Sequence, residues 1–210
     1  MLKRTMKAVV HGFFLALLLP AAALTGFGRL RTLFTMVAHA CALVPGLPGD
    51  YVRIAFYRLT LRECSLYSRI SFGSFFVERE VSLGRGVYIG AYCIIGRCSI
   101  GDRTQIASQV QILSGRRQHK RDSAGRISGS DSGTFEEIGI GPDCWIGASA
   151  IVMAPVGAGT TIGAGAVVVN DIPGGVTAVG NPARVIREAS PDSQGHPDRT
   201  APERDSALPA

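Results

Sequence analysis

Aliphatic residues recur every six positions between Leu83 and Val168, and this period constrains the fold more than anything else in the chain. Leu83-Gly84, Ile89-Gly90 and Ile95-Gly96 fall on it. After one missing residue it resumes at Ile100-Gly101, Ile106-Ala107 and Ile112, then returns at Ile140-Gly141, Ile146-Gly147, Val152, Ala158 and Ala164. A second column follows four residues behind: Val87, Cys93, Ser99, Thr104, Val110, Cys144, Ala150, Val156, Ile162 and Val168. A short fixed repeat implies a solenoid in which each unit buries its apolar face against its neighbours. Each hexad supplies a short strand and a turn, and three hexads close one triangular coil of a parallel β-helix. The first-position aliphatic residue points into the lumen, and the adjacent Gly or Ala lets the backbone turn. The second column packs a tight corner and must be small or β-branched. Where it carries Ile162, small Ala158 and Ala164 at the first position keep the lumen volume level, as dense cores require. A β-sandwich would instead alternate with period two and vary its loop lengths.

The fold class read from this pattern is mainly β, a parallel β-helix over residues 69–187 with an inserted loop at 114–137, preceded by an apolar helical region over 1–68. Clear hexads start near Val77, with an earlier onset open among Ile70 to Phe76. Residues 188–210 are rich in Pro, Ser, Asp and Arg, with too few apolar positions to build a core, so disorder is expected there.

Val9 to Leu24 is almost wholly apolar behind Lys3, Arg4 and Lys7, and Leu33 to Leu47 is a second apolar stretch behind Arg29 and Arg31. A signal peptide fits the basic start and the Ala21-Ala22-Ala23 cluster. A spanning helix fits less well, because the first run reaches only about 24 Å, against a hydrocarbon core of about 30 Å, and Pro20 would kink it. Helices lying on one leaflet fit the basic flanks on every side. The reading carried forward is association of residues 9–47 with the cytoplasmic face of the inner or plasma membrane, peripheral or shallowly inserted. A helical hairpin packed on the β-helix or on a sister subunit, in the cytoplasm, is the alternative. Asp50 is expected to cap a helix running to about Cys64.

The net charge is +6, with the basic residues concentrated before Arg121. No zinc-finger spacing or aromatic RNA-binding signature accompanies it, so no nucleic-acid partner is expected. The five cysteines, at 41, 64, 93, 98 and 144, are odd in number and form no CxxC pair. Cys93 and Cys144, in the corner column, read as small apolar residues, and the set points to a reducing compartment rather than a disulfide scaffold.

The break in the repeat carries Ser114-Gly115-Arg116-Arg117-Gln118-His119-Lys120-Arg121-Asp122. A long loop inside a repeat that then resumes marks a functional excursion. The region from Leu83 to Arg187 resembles the hexapeptide-repeat acyltransferases, in the sugar O-acetyltransferase branch. Three motifs carry the resemblance: His119-Lys120-Arg121-Asp122; Cys144-Trp145-Ile146-Gly147; and Ile162-Gly163-Ala164-Gly165-Ala166-Val167-Val168-Val169-Asn170-Asp171-Ile172-Pro173 with Gly180-Asn181-Pro182-Ala183-Arg184-Val185-Ile186-Arg187. The apolar N-terminus resembles acetyltransferases of bacterial polysaccharide synthesis.

The resemblance implies a left-handed parallel β-helix, a homotrimer with active sites at subunit contacts, acetyl-CoA as co-substrate and a saccharide acceptor. It implies His119 as general base, a role suited to a side chain titrating near neutrality. Asp122 would orient the imidazole or bind acceptor hydroxyls, and Trp145 would wall the acceptor site. Cofactor contacts carry over to Ala148, Ala164, Val169, Asn170, Arg184 and Arg187. The family often has lysine where this chain has Asn170, which weakens a charge contact there. No metal is expected: a zinc-dependent carbonic anhydrase on this fold needs three histidines, and the repeat region has only His119. N-acylation of an amino sugar and a non-catalytic, membrane-tethered trimeric scaffold remain as alternatives.

Overall fold

The computed structural model describes residues 2–116, 118–127 and 135–187, with side chains from Thr5 onward. Three helices, α1 (Leu2–Leu24), α2 (Arg31–Ala42) and α3 (Gly46–Thr60), precede a solenoid of about six turns. Its sheets run parallel along the axis. The first is β1 (Glu63–Cys64), β4 (Val81–Leu83), β7 (Cys98–Ile100) and β10 (Ile138–Ile140), extended by bridges from Ile140 to Val156 and from Val156 to Ile172. The second is β2 (Arg69–Ile70), β5 (Tyr88–Ile89), β8 (Gln105–Ile106), β11 (Trp145–Ile146), β13 (Thr161–Ile162) and β15 (Thr177–Val179), closed by antiparallel β16 (Arg184–Arg187). The third is β3 (Phe75–Phe76), β6 (Ile94–Ile95), β9 (Gln111–Ile112), β12 (Ile151–Val152) and β14 (Val167–Val168).

The lumen is built as the period requires. Ile89, Ile95, Ile106, Ile112, Ile146 and Val152 are fully buried, and Val87, Cys93, Thr104, Val110, Cys144 and Ala150 fill the corners. Thr104 Oγ1 donates to the Gly141 carbonyl and accepts from Cys144 N–H, so the corner hydroxyl bridges two coils. No buried side-chain polar atom among the described residues lacks a partner, as a stable interior demands. All five cysteines are buried and free.

Beyond Val152 the register differs from the sequence expectation. Val156, Ile162 and Val168 are the lumen residues, stacked on Ile140, Ile146 and Val152. Ala158 and Ala164 are exposed in turns, and Thr160 and Ala166 take the corners. The physical reason is a shortened coil: the chain reaches the next buried strand position four residues after Val152 instead of six, which exchanges the two columns. The volume balance between Ile162 and these alanines therefore does not exist. Ser99, placed in the corner column by counting, is the outward middle residue of β7, and Cys98 is buried beside it.

The first coil opens at Glu63, six residues before the expected domain boundary of 69. The helices close its end. Phe34, Phe56, Tyr57 and Phe76 are fully buried together, with Phe34 stacked on Phe56 at 5.8 Å and Tyr57 edge-on to Phe76 at 4.6 Å. Solenoids need such a terminal cap because the last lumen layer otherwise faces water. Each buried aromatic side chain contributes roughly 1.5–3 kcal/mol.

Asp50 does not cap α3. The helix starts at Gly46 with Pro45 at its N-cap, and Asp50 lies inside it, holding Arg53 and Arg69 through its two oxygens at 2.7 Å each. The first helix is longer than the apolar run alone suggests: its 23 residues continue through Pro20 and reach about 34 Å. By length and composition it can cross a bilayer. One stripe, His11, Leu18 and Ala22, is buried, whereas Met6, Val9, Phe13, Leu17 and Leu24 form an exposed apolar stripe. Residues 188–210, expected to be disordered, lie outside the described residues.

Candidate active site

The inserted loop leaves the solenoid after β9 and returns at β10, at the corner where the third sheet passes to the first. Its root is closely tied. Glu136 N–H donates to the Ser114 carbonyl at 3.0 Å, and the Ser114 hydroxyl accepts from Arg97 N–H at 2.9 Å. Glu137 receives both terminal nitrogens of Arg62, at 2.8 and 2.5 Å. This fork holds the Glu137 carboxyl below its ordinary range. Arg97 pairs with buried Glu78, which also meets Arg31 at 3.4 Å, and the Arg97 guanidinium lies over the Phe135 ring. The loop root is thus linked to the start of α2 through Arg97 and Glu78.

His119 lies on this loop with its side chain exposed. Among the described residues it makes no hydrogen bond or ion pair. Asp122 serves its own turn: Oδ1 accepts from Ala124 and Arg126 N–H, and Oδ2 meets the Arg126 guanidinium at 3.1 Å. Those bonds hold its carboxyl below the usual value. The carboxylate therefore shapes the loop and does not bond His119 in this structure.

The proposed cofactor residues fall in three places. Ala148 and Ala164 are stacked turn residues of adjacent coils, both exposed, at the corner between the second and third sheets. Gly165 N–H donates to the Ala148 carbonyl at 2.8 Å. The stack admits only glycine at 147, where a Cβ would lie 2.5 Å from Ala164 N. Val169 and Asn170 occupy the other edge of the third sheet, the corner from which the loop departs. There Arg116 Nη1 donates to Asn170 Oδ1 at 3.1 Å, joining the loop root to the last coils. Arg184 and Arg187 lie exposed on β16, with Arg184 turned back onto the Ala183 carbonyl at 3.1 Å. Trp145 projects from the second sheet, 51% exposed.

Sequence reasoning missed Arg116 and the Arg62–Glu137 fork. Both contacts join residues far apart in the chain, and nothing in a basic loop distinguishes the arginine that reaches across from those that face water. No group of three or more metal-ligating side chains exists among the described residues.

A parallel solenoid of about six turns is the fold of the hexapeptide-repeat acetyltransferases. The chain superposes on galactoside acetyltransferase in complex with coenzyme A at a TM-score of 0.65, 21% identical, covering 83% of this chain and 86% of that one. It superposes on the maltose O-acetyltransferase of Clostridium difficile at 0.63, 23% identical, covering 75% and 85%. At these identities the likeness establishes the fold. In sequence, it is 39% identical over 92 residues to a Schizosaccharomyces pombe protein named "putative acetyltransferase", covering 43% of this chain and 42% of that one. The chain thus spans less than half the length of that relative. No protein-family model matches.

Proposed function

We propose that this chain is an acetyl-CoA-dependent O-acetyltransferase that acts on a saccharide hydroxyl, with His119 as general base. The observation that carries the reading is the contact of Arg116 with Asn170. It anchors the loop bearing the one histidine of the repeat region to the corner that carries Val169 and Asn170, two of the expected cofactor residues. His119 takes the hydroxyl proton as the oxygen attacks the acetyl carbonyl. The tetrahedral intermediate collapses to the acetyl ester, and the coenzyme A thiolate leaves and takes up a proton. Backbone N–H groups of the coil turns are suited to the oxyanion.

Ala148 and Ala164 would admit the pantetheine arm to the backbone beside them. Val169 and Asn170 would line the turn, and Arg184 and Arg187 would meet phosphate, for which the guanidinium fork is suited. Trp145 would offer an aromatic wall to the acceptor. In this reading a homotrimer completes the site, which accords with the exposure of His119. The exposed apolar stripe of α1, with Lys7, Arg29 and Arg31 near its ends, supports attachment to the cytoplasmic face of the membrane.

The test is thiol release from acetyl-CoA by the full chain in detergent, against sugars, amino sugars and lipid-linked sugars, with His119→Ala in parallel. Acceptor-dependent release that drops roughly 10²–10⁴-fold in the variant supports the reading. Release only with amino sugars would make it an N-acyltransferase. No binding of acetyl-CoA would leave a scaffold.

A further inference from the structure

We infer that the cleft between α2 and the first coils binds the phosphate of the acceptor, so that the acceptor is a saccharide carrying a phosphate or diphosphate at its reducing end. The inference rests on the acyl-transfer reading for the reaction, but its binding claim stands on separate residues.

Two cavities meet here. One, of about 200 Å³, is lined by Arg29, Arg31, Arg79 and Arg97 together with Glu78 and Glu80. The other, of about 120 Å³, shares Arg31 and Glu78 and is lined by Ser114, Gln118 and Phe135 at the base of the loop. Gln118, in the wall of this second cavity, immediately precedes His119, the residue proposed as base. Phe27 and Leu30, the chain neighbours of Gly28, Arg29 and Arg31 in the first cavity's wall, are exposed apolar side chains at the α1–α2 turn.

The cleft is charged unevenly. Arg31 and Arg97 are committed to Glu78. Among the described residues the Arg29 and Arg79 side chains have no hydrogen bond or ion pair. Four guanidinium groups thus face two carboxylates, and the two unpaired ones line the first cavity and not the second. A guanidinium pair without a protein partner is suited to a phosphate, which accepts several charge-assisted hydrogen bonds. The order along the path is an apolar tip, two free arginines, a mixed polar and aromatic pocket, then the histidine loop. It reproduces the order of parts in a saccharide joined through phosphate to a lipid. A nucleotide-linked sugar presents the same phosphate without the lipid.

The experiment pairs equilibrium binding with turnover for the full chain in detergent. The probes are a sugar 1-phosphate, its methyl glycoside, a nucleotide diphosphate sugar and a polyprenyl diphosphate-linked sugar, tested on the parent and on Arg29→Ala/Arg79→Ala. Among the described residues neither side chain has a hydrogen bond or ion pair to lose, and the circular dichroism spectrum and melting temperature should match the parent. We expect the phosphorylated probes to bind more tightly than the methyl glycoside, with that advantage falling about tenfold or more in the variant. Tighter binding of the polyprenyl probe than of the nucleotide sugar assigns the phosphate to a lipid, and the reverse assigns it to a nucleotide. If the parent shows no preference for phosphate, or the variant weakens all probes equally, the inference is wrong. Phosphate-dependent binding without acetyl transfer would uphold the cleft and overturn the transferase reading.

Discussion

Arg53 Nε donates to the carbonyl of Ile70 at 2.8 Å, from a side chain fully withdrawn from water. Its other nitrogens reach the carbonyls of Cys41, Ala42 and Val44 and the carboxylate of Asp50. One guanidinium thus satisfies the carbonyls of Val44 and Ile70, adds a second donor to those of Cys41 and Ala42, and ties α2 and α3 to the first coil. Removing it strands the carbonyls of Val44 and Ile70 and leaves the Asp50 carboxylate to Arg69 alone. Arg53→Ala is expected to destabilise the fold by about 3–5 kcal/mol, as for other broken buried pairs. Arg53→Lys should recover only part of this, because an ammonium cannot span the same fork. Urea denaturation of the three proteins in detergent measures it, and a loss under 1 kcal/mol would show that packing alone holds the cap.

The buried thiols make the fold sensitive to alkali. Burial pushes the Cys64 thiol up to about 12 from an ordinary value of 9.0, and raises Cys93, Cys98 and Cys144 as well. A folded-state value above the unfolded one gives stability that is complete below about pH 9. That stability is lost as the unfolded chain ionises and pH climbs toward the folded values. Each such thiol costs up to roughly 1.4 kcal/mol per pH unit in that window. Melting temperature should therefore fall from pH 9 to 11, and Cys64→Ala/Cys98→Ala should flatten that slope. Native protein at pH 8 should also resist thiol alkylation until it is unfolded.

The solenoid was legible because its cause is local: every Ile on the period answers to one lumen. The register error beyond Val152 shows the limit of that argument. A coil shortened by two residues conserves the apolar rhythm while exchanging columns, and Ile162 looks the same in either. The N-terminal cap was less legible, since Arg53 works through backbone carbonyls that no side-chain pattern announces. Asp50 was misread for a related reason: a carboxylate near a helix start suggests a cap, but here a buried guanidinium claims it. At the candidate site His119 could be singled out as the one histidine of the repeat. Its relation to Asn170 through Arg116 depends on how far the loop folds back, which spacing does not encode.

That contact predicts an interaction between two substitutions. Asn170→Lys, which restores the lysine often found at this place in the resembling family, would set an ammonium against Arg116, now 3.1 Å from the asparagine oxygen. Repulsion should displace the loop root, so the single variant should bind acetyl-CoA more weakly than the parent. With Arg116→Ala added, the lysine stands alone and binding should return to within a few-fold of the parent. Titration of acetyl-CoA into the parent, both single variants and the double variant tests this. Additive effects would show that Arg116 and Asn170 act independently.

The outer stripe of α1 predicts where the protein resides. Phe13 and Leu17 are 63% and 56% exposed on the face turned away from α3. In water each leaves apolar surface unburied, and in a bilayer interface each gains roughly 25 cal/mol per Å² transferred. Phe13→Glu/Leu17→Glu should abolish flotation with vesicles containing anionic phospholipid. It should also leave the melting temperature in detergent within a few degrees, because neither side chain supports the core. Reversal of Lys7, Arg29 and Arg31 to Glu should weaken flotation with anionic vesicles more than with neutral ones, and less at high salt. If the double variant still floats, α1 is not the attachment. If instead it becomes monomeric while the parent is an oligomer, the stripe is a contact between copies of the chain and not a membrane surface.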